Sequence, residues 1–263
     1  MPTLALTLLQ QPLSWLDAEA NLQHFSRLLT SVRERDLIIL PEMFTSGFSM
    51  DTAQAASLDE SRIIDWMTNH AGDCDAMLGG SVALRTEKGA VNRFLLVSPQ
   101  GEVYRYDKRH LFRMAEEHHH YLAGEQRQIV HWRGFRLLPQ ICYDLRFPVF
   151  SRNRNNEYDL ALYVASWPAP RAQHWQALLL ARAIENQAYV AGCNRVGDDP
   201  AHHYQGNSVI LSPLGETLAS DDNDQPARLD ASLSLSELQA YRTRFPAWQD
   251  ADSFVLTQNK ADH

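Results

Sequence analysis

Three short apolar runs constrain this chain more than anything else in it. Leu37-Ile38-Ile39-Leu40 and Leu160-Ala161-Leu162-Tyr163-Val164-Ala165 have no polar face, and Leu137-Leu138-Pro139-Gln140-Ile141 feeds straight into Cys142. Runs of this length without a polar side suit strands covered on both faces, not half-solvated strands. Each run stops at a polar or reactive group: Pro41-Glu42, Cys142, and Ser166-Trp167-Pro168. Between them the spacing becomes helical. Leu22, Phe25, Leu29 and Val32 mark one helix running to about Arg35, Ile63, Ile64 and Met67 face inward from a second over 58–71, and a third covers 173–187. Strands alternating with helices favour an α/β fold with sheets inside and helices outside.

The remaining elements follow in order. Residues 3–9 read as a first strand, and Ser14 with Asp17 forms a capping-box-like start for the first helix. A strand over 76–84 precedes a hairpin, 92–97 and 102–106, turning at Pro99-Gln100-Gly101. Residues 110–128 are irregular and rich in His and Glu, and a loop that long is often functional. A second hairpin turns at Arg133-Gly134, and a short helix follows Pro148. After a strand over 188–193 come a hairpin turning at Pro213-Leu214-Gly215, a short strand over 228–230 and a short helix over 236–242.

With 263 residues, 44% hydrophobic and 21% charged, the chain can bury one large core. No linker or repeat divides it, so one domain over 1–263 is expected, with a core of about 4–235 and a tail of 236–263. A net charge of −8 without a basic stripe argues against nucleic acid as a partner. No apolar run is long enough to span a membrane. Met1-Pro2-Thr3-Leu4-Ala5 lacks a signal-peptide pattern, and the three cysteines, Cys74, Cys142 and Cys193, have no zinc spacing. The expected location is a reducing cytoplasm.

Cys142 admits two readings. A lone cysteine after an apolar run is commonly a small core hydrophobe. At the junction of a strand and a helix, beside free backbone N–H groups, it is also placed to act as a nucleophile. Glu42 and Lys108 stand at comparable strand ends, although 66 and 34 residues of chain separate the three. Lys108 stands out because only three of the 24 basic residues are lysines, the others being Lys88 and Lys260. Such a compact ammonium suits an oxyanion, although a hairpin flank can also carry a surface lysine.

Pro41-Glu42-Met43-Phe44, Tyr106-Asp107-Lys108-Arg109-His110-Leu111-Phe112 and Cys142-Tyr143-Asp144-Leu145-Arg146-Phe147-Pro148 resemble, in this order, the three signature motifs of the nitrilase (carbon–nitrogen hydrolase) superfamily. The similarity runs from about Leu4 to Leu235. Phe44-Thr45-Ser46-Gly47-Phe48, Ala165-Ser166-Trp167-Pro168-Ala169-Pro170-Arg171 and Ala181-Arg182-Ala183-Ile184-Glu185-Asn186-Gln187 are similar to its omega-amidase branch. The resemblance implies a four-layer αββα sandwich that pairs with a second subunit. It implies a Cys142–Glu42–Lys108 triad, a second glutamate at Glu117 rather than Glu116, an oxyanion contact from the Tyr143 N–H, and no cofactor. The implied substrates are short 2-oxo dicarboxylate mono-amides, 2-oxoglutaramate first and 2-oxosuccinamate second.

Arg146, four residues past Cys142, offers a planar fork for the far carboxylate of a molecule about five carbons long. Phe48 and Trp167 would wall that pocket. A structural pairing of Arg146 with Asp144 or another acid nearby is the competing reading. Four other possibilities stay open at this stage. They are a Cys–His hydrolase using His110 or His174, a metal on His118-His119-His120, a non-catalytic binder, and a general aliphatic or N-carbamoyl amidase.

Overall fold

The computed structural model describes residues 2–256; Met1 and residues 257–263, Lys260 among them, lie outside the described residues. The first half runs β1 (Thr3–Gln10), α1 (Ala18–Leu29), β2 (Leu37–Ile39), α2 (Thr52–Ala55), α3 (Glu60–Cys74), β3 (Met77–Thr86), β4 (Gly89–Val97) and β5 (Val103–Asp107). The second runs α4 (Glu117–His120), β6 (Val130–Trp132), β7 (Phe135–Ile141), α5 (Pro148–Ser151), β8 (Leu160–Ala165), α6 (Ala172–Asn186) and β9 (Tyr189–Asn194). It continues through β10 (Val196–Asp198), β11 (His203–Gln205), β12 (Val209–Leu211), β13 (Thr217–Ser220), β14 (Ala227–Ser234) and α7 (Leu235–Arg244).

Two six-stranded sheets result. Their orders are β14-β1-β2-β3-β4-β5 and β13-β12-β9-β8-β7-β6, and β10 and β11 form a separate ribbon. The centre of each sheet is parallel: β1, β2 and β3 in the first, β7, β8 and β9 in the second. A strand sends alternate side chains to opposite faces. Leu37 and Ile39 of β2 therefore enter one core with Leu160, Leu162 and Val164 of β8, which packs between the sheets. Ile38 and Leu40 go outward to meet Phe25, Ile63 and Met67 of α1 and α3. On the other side, Ala161 and Tyr163 of β8 meet Trp175 and Leu179 of α6. Three apolar layers between four layers of structure make the αββα sandwich, and they explain why the runs in β2 and β8 carry no polar face.

Four local expectations change. The cap of α1 is Asp17, whose carboxylate accepts from the Ala20 N–H at 3.0 Å, while Ser14 is held by Asn21. The helix stops at Leu29 because the Thr30 and Ser31 hydroxyls donate back to the Arg27 and Leu28 carbonyls at 2.6 and 2.8 Å. Val32 is buried beyond that end, which gave the false impression of another helical turn. The strand expected over 228–230 is the eight-residue β14, paired along all of β1; only Leu229 and Leu233 are buried, so its alternating polar residues read as loop. The stretch 110–128 contains α4 and a preceding turn of 3-10 helix, Arg113–Ala115.

Candidate active site

In each sheet the parallel strands end at the same edge, and the chain there carries the ionisable residues. Glu42 follows β2, Lys108 follows β5, Cys142 follows β7 and Ser166 follows β8. Crevices outside the carboxyl ends of parallel strands are where α/β proteins place ligands. The two sheets meet at this edge, where the Ser166 N–H of one donates to Glu42 Oε2 of the other at 2.7 Å.

Lys108 is the centre of the cluster. Its Nζ lies 3.0 Å from Glu42 Oε1 and 3.0 Å from each oxygen of Glu117. All three side chains are fully buried. A buried charge persists only when paired and hydrogen-bonded. Here further donors complete the shell, Asn92 Nδ2 to Glu42 Oε1 at 2.9 Å and the Phe112 N–H to Glu117 Oε2 at 2.6 Å. Burial lowers the Lys108 pKa, but Glu117 and then Glu42 more than reverse this, and the ammonium is held firmly protonated. Burial raises the Glu117 pKa, with the Lys108 charge opposing. Glu116, by contrast, is exposed and forms the left-handed turn before α4.

Cys142 sits on a left-handed turn with φ of 44°, where β7 passes into the 3-10 helix Cys142–Arg146. A non-glycine residue holds that conformation only where the surroundings fix it, often at a functional site. The fixing residue is Asp144, which is fully buried. Its Oδ2 accepts from the Ile141 N–H at 3.0 Å and the Tyr106 hydroxyl at 2.7 Å. Its Oδ1 accepts from the His110 N–H at 3.0 Å, with His110 Nδ1 at 2.7 Å. One carboxylate thus ties the turn of the second sheet to the Lys108 loop of the first. Burial and then the Glu42 charge push the Cys142 thiol well above its ordinary value, with Lys108 opposing.

A cavity opens onto these groups, lined by Phe48, Lys108, Cys142, Tyr143, Arg146 and Trp167 among others. Arg146 stacks over Trp167 at 4.8 Å and has Nη2 at 3.1 Å from His174 Nδ1; Asp144, committed elsewhere, is not its partner. His110 stacks on Phe147 at 3.8 Å, and His174 is exposed on α6; neither lines the cavity. Among the described residues no group of three or more His, Cys, Asp or Glu could hold a metal ion. The other thiols are buried elsewhere, Cys74 against the Leu29 carbonyl and Cys193 between the sheets.

A family model, carbon-nitrogen hydrolase, matches residues 5–243. The chain belongs to the carbon–nitrogen hydrolase family. Within that family it is 67% identical over 257 residues to omega-amidase YafV of Yersinia enterocolitica, covering 97% of this chain and 100% of that protein. It is 32% identical over 222 residues to 2-oxoglutaramate amidase of Bacillus subtilis (strain 168), covering 83% and 85%. The crystal structure of XC1258 from Xanthomonas campestris superposes with a TM-score of 0.94 at 43% identity, covering 98% of this chain and 100% of that one; it is described as a CN-hydrolase superfamily protein with an arsenic adduct in the active site.

Sequence reasoning did not reach several residues of this hydrolase site. Arg171, His202 and Tyr204 line the cavity, the last two from the β10–β11 ribbon. Asn92 and Ser166 hold Glu42, and Asp144 holds the turn. Asp144 lay inside the Cys142 motif and was legible as a neighbour, although not as the tie between sheets. Asn92 was visible only as a polar residue inside an apolar strand.

Proposed function

We propose that this protein is an omega-amidase, cleaving the terminal amide of short 2-oxo dicarboxylate mono-amides, 2-oxoglutaramate above all, to the acid and ammonia. The observation that carries the reading is a single cavity holding a reactive thiol together with two guanidinium groups. Arg146 and Arg171 both line it, and among the described residues their guanidinium contacts are to His174 and Trp167 and to Phe112, not to a carboxylate. A planar fork takes a carboxylate in two parallel hydrogen bonds, so these groups are suited to the acid end of the substrate. The relatives bearing the names omega-amidase and 2-oxoglutaramate amidase support the same substrate class.

The chemistry follows from the residue types. Glu42 removes the Cys142 proton, which the raised thiol pKa otherwise keeps in place, and the thiolate attacks the amide carbon. Lys108 Nζ and the Tyr143 N–H stabilise the oxyanion. Glu42 returns the proton to the departing nitrogen. Water, deprotonated by Glu42, then hydrolyses the thioester. Glu117 keeps Lys108 charged and oriented throughout. Three free thiols fit a reducing cytoplasm, and a homodimer is the expected assembly.

Ammonia release from 2-oxoglutaramate and from pentanamide tests the substrate. A site built around hydrogen bonds to a carboxylate should favour the first by about 100-fold or more in kcat/KM. Arg146→Ala should erase most of that preference while the protein still melts cooperatively. Equal rates in the wild type would make it a general aliphatic or N-carbamoyl amidase instead.

A further inference from the structure

Ser166 is joined to the site twice. Its backbone N–H donates to Glu42 Oε2 at 2.7 Å, and the residue lines the cavity beside Lys108 and Cys142. It is only 5% exposed, yet its Oγ has no hydrogen-bond partner among the described residues. A buried hydroxyl left unpaired is destabilising by itself, so such a group on the wall of a reaction cavity points to a ligand atom. Trp167, the next residue, has its N–H on Asn194 Oδ1 at 2.8 Å, which fixes the backbone that carries Ser166.

A primary amide brings two N–H groups to the site. When the thiolate attacks, the Cys142 Sγ–carbon bond forms and the carbonyl electrons move to oxygen. On collapse the carbon–nitrogen bond breaks, nitrogen keeps the electron pair, and the proton that Glu42 took from the thiol joins it, so that ammonia leaves. The nitrogen must therefore come within hydrogen-bond reach of Glu42. Ser166 adjoins that carboxylate, and its hydroxyl has lone pairs to offer an N–H that Glu42 does not engage.

We propose that Ser166 Oγ accepts a hydrogen bond from the amide nitrogen of the substrate and orients it as the leaving group. Ser166 thereby reads the amide end of the substrate, as distinct from its acid end. The inference rests on the amidase reading but not on which acid is attached.

The test compares an amide with an ester of the same acid, because the ester's leaving oxygen carries no N–H. The measured quantity is kcat/KM for 2-oxoglutaramate and for its 5-methyl ester counterpart, which reports steps through thioester formation. Ser166→Ala should lower the amide value about tenfold, the worth of one oriented hydrogen bond, and change the ester value less than about twofold. Ser166→Thr, which keeps a hydroxyl, should retain most of the amide-to-ester ratio. The melting temperature and the rate of Cys142 alkylation by iodoacetamide should match the wild type in Ser166→Ala. If amide and ester fall together, Ser166 acts only by supporting Glu42, and the proposal is overturned. An unchanged amide rate overturns it equally. Should the wild type ignore 2-oxoglutaramate, the acid-end reading fails instead, and the same comparison on the best amide of a panel still decides the role of Ser166.

Discussion

Lys108 shows how much one residue type decides. Three carboxylate oxygens lie 3.0 Å from a single nitrogen, which a compact ammonium allows and a planar guanidinium does not. Lys108→Arg should keep the charge yet push Glu42 or Glu117 aside, lowering kcat by about 10²–10³-fold, the usual loss of an oxyanion donor. Retention of most activity in a purified sample would reduce Lys108 to a general positive charge. Glu42 and Cys142 stood out because each follows an apolar run, and Lys108 because lysine is scarce in this chain; each also had a structural reading, and the family resemblance joined the three. Asn92 and Ser166 did not stand out. Their partner, Glu42, lies 50 and 124 residues away, and a single Asn in a strand or Ser just after one carries no local sign of what it will meet.

Among the elements, the β10–β11 ribbon was invisible in the sequence, yet it brings His202 and Tyr204 to the cavity. Its strands have three residues each, and the stretch 196–205 holds two Asp, two His, a Gly and a Pro, a composition that reads as loop. What orders it is side-chain chemistry: His203 lies between Asp198 and Asp224, at 2.8 and 2.9 Å, and Tyr204 donates to Asp199 and stacks under Arg195. The two carboxylates, Asp198 first, raise the His203 pKa. A raised value means that the folded ribbon favours the imidazolium. This contribution is complete below the ordinary value of about 6.5 and is lost as pH rises through the higher folded value. The group is exposed, so the effect is small. The exchange protection of the Tyr204 amide, corrected for intrinsic rate, should fall about threefold between about pH 6 and pH 8 in the wild type. It should stay flat in His203→Gln, and a flat wild-type profile would refute a role for the His203 charge in ordering the ribbon. The long elements were readable because burial on both faces leaves a strong periodic mark. The ends of α1 and most of β14 beyond residues 228–230 were not, because hydroxyl caps and edge pairing outweigh apolar spacing there.

At the scale of the molecule, the sheet sandwich explains the buried surfaces but leaves others uncovered. Leu180 and Ile184 of α6 are 39% and 49% exposed and pack against the turn at Gly215, next to Leu214 at 51%. Phe245 near the chain end is 56% exposed. An apolar patch of this kind is suited to an isologous contact with a second copy. Light scattering at micromolar concentration should give twice the 29.9 kDa chain mass, and Ile184→Glu should halve it; a monomeric wild type would refute the dimer. The runs in β2 and β8 foretold sheets covered on both faces and the family resemblance implied the sandwich, whereas which strands adjoin was not legible, since pairings such as β1 with β14 join residues more than 200 positions apart. That pairing has a consequence for when the chemistry is switched on. The strand before Glu42 belongs to a sheet whose edge strand, β14, lies far beyond the turn at Cys142 in the chain. A chain interrupted before residue 227 would carry a cysteine and a glutamate with no completed frame to hold them together. The arrangement proposed for Cys142, Glu42 and Lys108 therefore needs β14 in place as well as the turn at Cys142.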